Sequence, residues 1–189
     1  MYFSFQSFRA RLIKYLDIKP DEFDEGLIAW TEKNGSIITP EHNYLCDLYY
    51  SLIDNISLTN AGPNEKFIKQ RFIYGELYAY KCYHDEDCTE VLKQMHYCDL
   101  QLSNAGSIKV EAVIRSGKCC AECDKQHGRI LSIEEALLLQ PLPNPGCLNE
   151  DGCTCTYGFH SVRDKDNHFL KNEGVKEIEK PSSDRRLFR

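Results

Sequence analysis

The sequence lacks the patterns on which most enzymes and membrane proteins depend. It has no glycine-rich phosphate loop, no HExxH or GxSxG motif, no paired carboxylates and no internal repeat. No run approaches the 18 or more apolar residues of a membrane-spanning helix, so we expect no membrane partner. The first aromatic residues precede Arg9 and Arg11, the reverse of the order in a signal peptide, which predicts a cytoplasmic protein. These absences favour a role without catalysis.

Composition indicates a globular protein with a core. The chain has 189 residues, of which 42% are hydrophobic and 28% charged, enough for one ordinary domain or two small ones. A net charge of −6 is not typical of a protein coated for nucleic-acid binding. Residues 161–189 mix charges at high density and contain too few apolar side chains to offset their ordering entropy, so we expect a flexible, charged tail there.

Residues 1–105 carry a helical pattern. Apolar residues recur at helical spacing, and the pattern predicts four or five helices, within residues 5–16, 21–33, 40–56, 64–82 and 91–104. The third helix has the clearest start, because Thr39 can cap it, Pro40 suits its first position and Glu41 lies in its first turn. We therefore predict an N-terminal helical bundle.

After Gly106 the period changes to that of strands. Alternating residues predict strands at 108–114, 128–133 and 153–159. Ser132 and Glu135 form the sequence signature of a capping box, which starts a short helix that Pro141 ends. The fold class is therefore α+β: a helical bundle followed by a small unit with short antiparallel strands in residues 106–160. Cysteines cluster in this unit at the spacing of metal ligands, which predicts that it is zinc-binding and zinc-ribbon-like.

Six of the ten cysteines lie within 37 residues, the stretch 119–155. The candidate metal ligands among them are Cys120, Cys123, Cys147, Cys153 and Cys155. The spacing is a Cys-x-x-Cys pair, 23 residues, a cysteine, five residues and a Cys-x-Cys pair. Clustered cysteines in a reducing compartment are typical of metal sites, and a Cys-x-x-Cys turn can present two thiolates to one zinc ion. The pattern predicts structural zinc in a closed thiolate shell.

The spacing predicts a metal site more firmly than it predicts which four cysteines are the ligands. Cys120 with Cys123 gives the tighter turn, whereas Cys119 would give a wider one. We favour Cys153 and Cys155 for the second half, with Cys147 as a rival. Buried free thiols and a redox Cys-x-x-Cys pair are the two alternatives to metal binding.

Other residues around the cysteines have supporting roles in this interpretation. Sharp turns are expected at the glycines that precede two of the cysteines, and cationic side chains are placed to soften the thiolate charge. These residues are Gly146, Gly152, Lys118, Lys125 and Arg129, while His127 is a surface residue, an outer partner of the metal or an alternative ligand.

A second group of possible ligands has poor spacing for a metal site. It consists of Cys82, His84, Cys88, His96 and Cys98. Cys82 and Cys98 lie on the apolar stripes of their helices, where free cysteine behaves as a small buried hydrophobe. We therefore interpret this group as structural.

The cysteine-rich stretch resembles a known family. Its features are Cys120-x-x-Cys123, residues 127–131 and 134–136, the proline-rich residues 141–145, and Cys153-x-Cys155. This order is similar to the C-terminal region of phage Mu F-type minor head proteins, the head morphogenesis family of phages and prophages, although Thr154 stands where that family usually has arginine. The resemblance covers about 40 of the 189 residues.

The resemblance implies a zinc-stabilised module that works through protein contacts in a capsid or portal assembly, and hence a virion-associated protein. Interaction or scaffolding is the expected function, without catalysis. One alternative is nucleic-acid binding through the zinc unit and the basic residues Arg185 and Arg186 of the tail. A lesser alternative is a thiol-dependent redox protein.

Overall fold

The computed structural model describes residues 5–16, 18–35, 39–118, 120–150 and 152–172. Cys119 and the tail residues Arg185 and Arg186, which the sequence analysis considered, lie outside these ranges. Within the described ranges the chain forms helices first and a small antiparallel sheet afterwards, so the predicted α+β class is confirmed. None of the described helices is both long and apolar enough to span a membrane.

Five helices make up the N-terminal part. They are α1 (Phe5–Leu16), α2 (Pro20–Asn34), α3 (Pro40–Leu58), α4 (Pro63–Tyr83) and α5 (Thr89–Asn104). Proline occupies the first position of three of them, where its missing N–H costs nothing. The predicted start of α3 at Pro40 is confirmed, although the Thr39 side chain makes no capping hydrogen bond.

The first core lies among helices α1 to α4 and the start of α5, which contributes Val91. The predicted stripe of α3 faces it, with Leu45 and Tyr49 fully buried. Aromatic edge contacts join the helices, such as Phe8 of α1 against Tyr80 of α4, whose ring centroids are 4.7 Å apart.

The C-terminal part contains strands β1 (Val110–Arg115), β2 (Ile130–Ser132) and β3 (Thr156–Ser161), with the short helices α6 (Ala121–Asp124) and α7 (Ile133–Leu139). The strand order is β2-β1-β3, and both pairings are antiparallel. The final strand begins at Thr156, after the last two cysteines rather than at Cys153 as the alternation predicted. Both cysteine side chains are buried and Thr154 between them is exposed, so the burial does alternate through residues 153–155, but pairing with β1 starts only at Thr156.

The capping box that starts α7 is confirmed. The Glu135 backbone N–H donates to Ser132 Oγ over 3.1 Å, and the Ser132 N–H donates to Glu135 Oε2 over 2.9 Å. Because β2 ends at the same serine, the cap also sets the angle between strand and helix. The chain then returns through residues 140–155, which include a cis peptide bond between Leu142 and Pro143.

A second core lies in the C-terminal part, and helix α5 contributes to it. Leu100 of α5 is 1% exposed and packs with Ala112, Ile114 and Leu142. The two cores are therefore joined by one helix, and the division at residues 105 and 106 stays a prediction.

Residues 161–172, which the sequence analysis assigned to the charged tail, are hydrogen-bonded to the rest of the chain. Arg163 pairs with Phe169, and Lys171 pairs back with Ile108 in an antiparallel bridge. Asn172 Nδ2 donates to the Gly106 carbonyl over 2.7 Å. The rest of the predicted tail lies outside the described residues.

Candidate metal centre

All five cysteines predicted as metal ligands meet in the C-terminal part. Their sulfurs form two triplets, one of Cys120, Cys123 and Cys147 and the other of Cys123, Cys153 and Cys155. Within each triplet the three sulfurs lie within 4.8 Å of one another, and Cys123 belongs to both. Cysteine clusters of this kind can hold a metal ion.

The distances between sulfurs fit a metal shell better than a disulfide. A zinc ion about 2.3 Å from four tetrahedral sulfurs holds neighbouring sulfurs about 3.8 Å apart. The Sγ atoms of Cys120 and Cys147 are 3.8 Å apart, and those of Cys123 and Cys153 are 3.9 Å apart. A disulfide needs about 2.05 Å. Each thiol of the Cys-x-x-Cys pair therefore faces a thiol from the returning segment at the spacing of a tetrahedral edge.

Local structure explains why the two halves meet. Cys120 is the N-cap of α6, so Cys123 lies in its first turn and the two sulfurs are presented together. Strand β2 and helix α7 then reverse the chain. Gly152 has a φ of +87°, a left-handed conformation that glycine adopts without strain, and this turn precedes Cys153 directly. The sharp turns predicted before both cysteines are confirmed. Gly146 lies in a turn that the Cys147 N–H closes by donating to the Asn144 carbonyl over 3.0 Å, although its φ is not left-handed.

Backbone and side-chain N–H groups donate to the cluster sulfurs. The Leu148 N–H donates to Cys120 Sγ and the Asn144 N–H to Cys153 Sγ, each over 3.3 Å. Asn144 Nδ2 donates to Cys123 Sγ over 3.5 Å. N–H donors stabilise the negative thiolate over the neutral thiol, and a thiolate is the form that binds metal.

The thiols differ in how readily they ionise. Hydrogen bonds from the Leu148 and Cys123 backbone lower the pKa of Cys120, with smaller contributions from neighbouring thiols. Burial raises the pKa of Cys155, against an opposing hydrogen bond from the Gly117 backbone. Cys155 is fully buried, whereas Cys120 is partly exposed. The accessible edge of the cluster therefore favours thiolates more than its deepest member does.

A buried histidine of helix α5 contacts the backbone of the cysteine cluster. His96 is 3% exposed, and its Nε2 lies 3.1 Å from the Cys155 carbonyl oxygen, to which the neutral ring donates. Burial lowers the His96 pKa, which keeps the ring neutral. The ring also makes an edge contact with Tyr157, at 5.4 Å between centroids.

A cleft of about 600 Å³ is lined by Cys153 of the cluster together with Cys82 and Cys88 of the α4–α5 turn.

The group of Cys82, His84, Cys88, His96 and Cys98 does not come together. Cys98 is 2% exposed, as interpreted, but Cys82 is exposed, so its interpretation as a buried hydrophobe is wrong. The helix ends one residue after Cys82, which places this thiol at the rim of the turn beside Cys88, with 3.1 Å between the sulfurs. His96 instead lies at the cysteine cluster, where it donates a hydrogen bond to the backbone of Cys155.

His127, Lys125 and Arg129, which the sequence analysis placed near the cluster, have other hydrogen-bond or ion-pair partners. His127 is exposed, and its Nδ1 accepts the Ser116 N–H over 3.1 Å, so it is a surface residue. Lys125 pairs with Glu122 at 2.5 Å, and Arg129 donates to the Gln126 side chain. Neither cation contacts a cluster sulfur among the hydrogen bonds of the described residues.

Sequence reasoning missed several residues that shape these sites. Asn144 donates twice to sulfur, and its position in the proline-rich connector was the only signal. It also missed that His42, Cys46 and Glu86 meet in the helical part, where the spacing of four residues between His42 and Cys46 on one helix was available. Comparison of the chain with protein-family models, curated proteins and solved structures returned no match.

Proposed function

We propose that residues 106–160 form a zinc-stabilised module that serves protein interaction or scaffolding. One zinc ion would be held by Cys120, Cys123, Cys147 and Cys153, with Cys155 as a buried neutral thiol beneath them. When bound, the ion supplies a cross-link between the two halves of the module. A closed shell of four thiolates leaves no position for a reactive water, which favours a structural role over hydrolysis.

The single observation that supports zinc most directly is the pair of sulfur–sulfur distances. Cys120 to Cys147 and Cys123 to Cys153 are two separate pairs at tetrahedral spacing, and three of these four sulfurs accept an N–H hydrogen bond. The same distances give less support to a redox Cys-x-x-Cys, because each thiol of that pair has a neighbour from the other half of the module.

Exposed apolar side chains support a role in protein interaction. Leu138 is 84% exposed at the end of α7, and Leu148, whose N–H bonds to Cys120, is 73% exposed. These side chains are available for contact with another protein, which is the basis for the interaction part of the proposal. Nucleic-acid binding receives less support, because Lys125 is paired with Glu122.

The resemblance to Mu F-type head proteins suggests the setting. In that proposal the protein acts in the cytoplasm during phage or prophage head assembly and remains with the virion, in contact with capsid or portal subunits. Portal, terminase or capsid genes beside the coding sequence would support this setting. Neighbours of unrelated metabolism would contradict it.

Metal analysis of the purified full chain tests the site. Protein prepared under reducing conditions without added metal is expected to carry about one zinc per chain that a weak chelator does not remove. Cys123→Ser should abolish this zinc, because both triplets contain Cys123. Cys82→Ser is the matched control and should retain it, since that exposed thiol belongs to neither triplet.

Two further variants test the ligand assignment. Cys147→Ser should release zinc as Cys123→Ser does, whereas Cys155→Ala should retain it. The reverse result would show that Cys155 completes the shell. Absence of zinc from the parent chain, together with a disulfide between Cys120 and Cys123 in non-reducing mass spectrometry, would refute the structural metal site and favour redox chemistry.

A further inference from the structure

Three possible metal ligands of different chemistry meet in the helical part, away from the cysteine cluster. His42 and Cys46 lie one turn apart on α3, and Glu86 belongs to the turn between α4 and α5. His42 Nε2 is 2.5 Å from Glu86 Oε1 and 3.9 Å from Cys46 Sγ. All three ligand atoms lie within 4.8 Å of one another, and all three residues are partly buried.

The way these groups meet distinguishes a metal site from a catalytic triad. In a triad the nucleophile contacts one ring nitrogen of histidine and the carboxylate contacts the other. Here the Cys46 thiol and the Glu86 carboxylate both face Nε2 of His42. Three donors that converge on one point are the arrangement of ligands around a cation.

The atoms that face away from this point are also held. Nδ1 of His42 is 3.1 Å from the Tyr80 hydroxyl, and the rings of the two residues stack with 5.2 Å between centroids. Glu86 Oε2 accepts from Lys81 Nζ over 2.9 Å. Metal-binding histidines and carboxylates are commonly oriented by such outer hydrogen bonds.

We propose that His42, Cys46 and Glu86 form a second metal site, which binds a divalent transition-metal cation such as zinc or cobalt. Imidazole, thiolate and carboxylate together suit these borderline cations better than calcium or magnesium, which prefer oxygen ligands. A thiolate and a carboxylate neutralise the two charges of the ion. The site lies outside the cysteine cluster and does not depend on the function proposed for it.

The geometry shows what binding requires. Tetrahedral bonds of about 2.0–2.3 Å place the imidazole nitrogen about 3.3 Å from the carboxylate oxygen and about 3.6 Å from the sulfur. The nitrogen–sulfur distance of 3.9 Å is already close to this value. The carboxylate must withdraw by about 0.8 Å, which its place in a partly exposed turn permits.

A cavity of about 400 Å³ lies beside the site and is lined by the rings of His42, His84 and Tyr80, together with Glu41. Of the three proposed ligands, His42 is the one that lines it. Unlike the cluster of thiolates, this site has three protein ligands, which leaves the fourth position of a tetrahedral shell to a water molecule or another small molecule.

Titration of the metal-free, reduced full chain with cobalt tests the proposal. Sulfur-to-cobalt charge-transfer absorbance counts thiolates, so the second site should add about a quarter of the absorbance of a four-thiolate site. We expect two bound ions per parent chain. Cys46→Ser should abolish the one-thiolate signal and bind one ion fewer, and Glu86→Gln, which keeps the size of the side chain, should weaken the second ion at least tenfold.

Cys82→Ser is the matched control, since it removes a thiol near the α4–α5 turn that belongs to neither proposed site. It should keep both ions. If the cysteine cluster bound no metal, the one-thiolate signal would still appear in the parent chain and disappear in Cys46→Ser, which would support the second site alone. The proposal is overturned if no one-thiolate signal appears, if Cys46→Ser leaves it intact while far-UV circular dichroism is unchanged, or if Cys82→Ser removes it.

Discussion

His96 is the residue through which the helical part supports the cysteine cluster, and its replacement gives a sharp test of that coupling. It comes from α5, it is 3% exposed, and it donates to the carbonyl of a fully buried residue, Cys155. His96→Phe keeps most of the volume and the ring contact with Tyr157 but removes the donor. His96→Ala removes the ring as well.

The expected magnitudes follow from these contacts. A buried carbonyl left without its donor costs about 1–3 kcal/mol. His96→Phe also removes Nδ1, which is buried without a hydrogen-bond partner among the described residues, so we expect its loss at the lower end, about 1 kcal/mol. An edge-to-face aromatic contact contributes about 0.5–1.5 kcal/mol beyond burial, so His96→Ala should lose about 2–4 kcal/mol. In the alanine variant the loosened Cys155 backbone should also speed the release of zinc from the neighbouring Cys153.

The assay is guanidinium unfolding of the zinc-loaded full chain, followed by far-UV circular dichroism and by release of zinc to a colorimetric chelator. Tyr97→Phe is the comparison, because Tyr97 is the next residue of the same helix and is only partly buried. The reasoning is refuted if the free energy of unfolding of His96→Phe lies within about 0.5 kcal/mol of that of the parent chain, because changes of that size are typical of surface substitutions. It is also refuted if Tyr97→Phe is equally destabilising.

Three further substitutions test the packing of the module. Gly117→Ala should cost about 1–3 kcal/mol by overpacking, because its new methyl group would lie 2.7 Å from a backbone carbonyl oxygen. Gly146→Ala is the control and should be neutral, because its methyl group would meet nothing closer than 3.6 Å. Thermal unfolding of both zinc-loaded variants compares them. Leu100→Ala should cost about 2–5 kcal/mol, because Leu100 is buried in the second core. Leu58 is 82% exposed, so Leu58→Ala should cost less than about 0.5 kcal/mol. Equal effects of the two substitutions in denaturant unfolding would contradict a core shared by α5 and the sheet. Ser132→Ala should cost about 1 kcal/mol through loss of the cap, measured in the same unfolding assay, and an unchanged midpoint would show that the cap contributes nothing.

Local signals predicted the helices well. Pro40 with Glu41 marked the start of α3, and Ser132 with Glu135 marked the start of α7, because such signals act within one helical turn. Pro20 shows the limit of this reasoning. Its place after the first apolar stripe indicates only the close of the first helix, but it also opens α2, since proline at the first helical position is favourable.

Signals that depend on distant residues were less informative. The sequence pattern placed Cys82 on a buried stripe, but the helix ends beside it and the thiol is exposed. Burial depends on which elements pack against a helix face, and periodicity does not specify that. For the same reason Glu86, 40 residues after Cys46, gave no indication that it would meet that thiol and His42.

The sequence by itself determined that this protein has a helical first part, a strand-containing second part and five cysteines at spacings suited to a metal, because periodicity, caps and spacing are local properties. Only the tertiary structure decided which thiols face one another. Cys120 meets Cys147 and Cys123 meets Cys153 because β2, α7 and the turn at Gly152 return the chain by a path that spacing leaves open. The support of this cluster by His96 was likewise decided by packing, since the contact joins residues 59 positions apart.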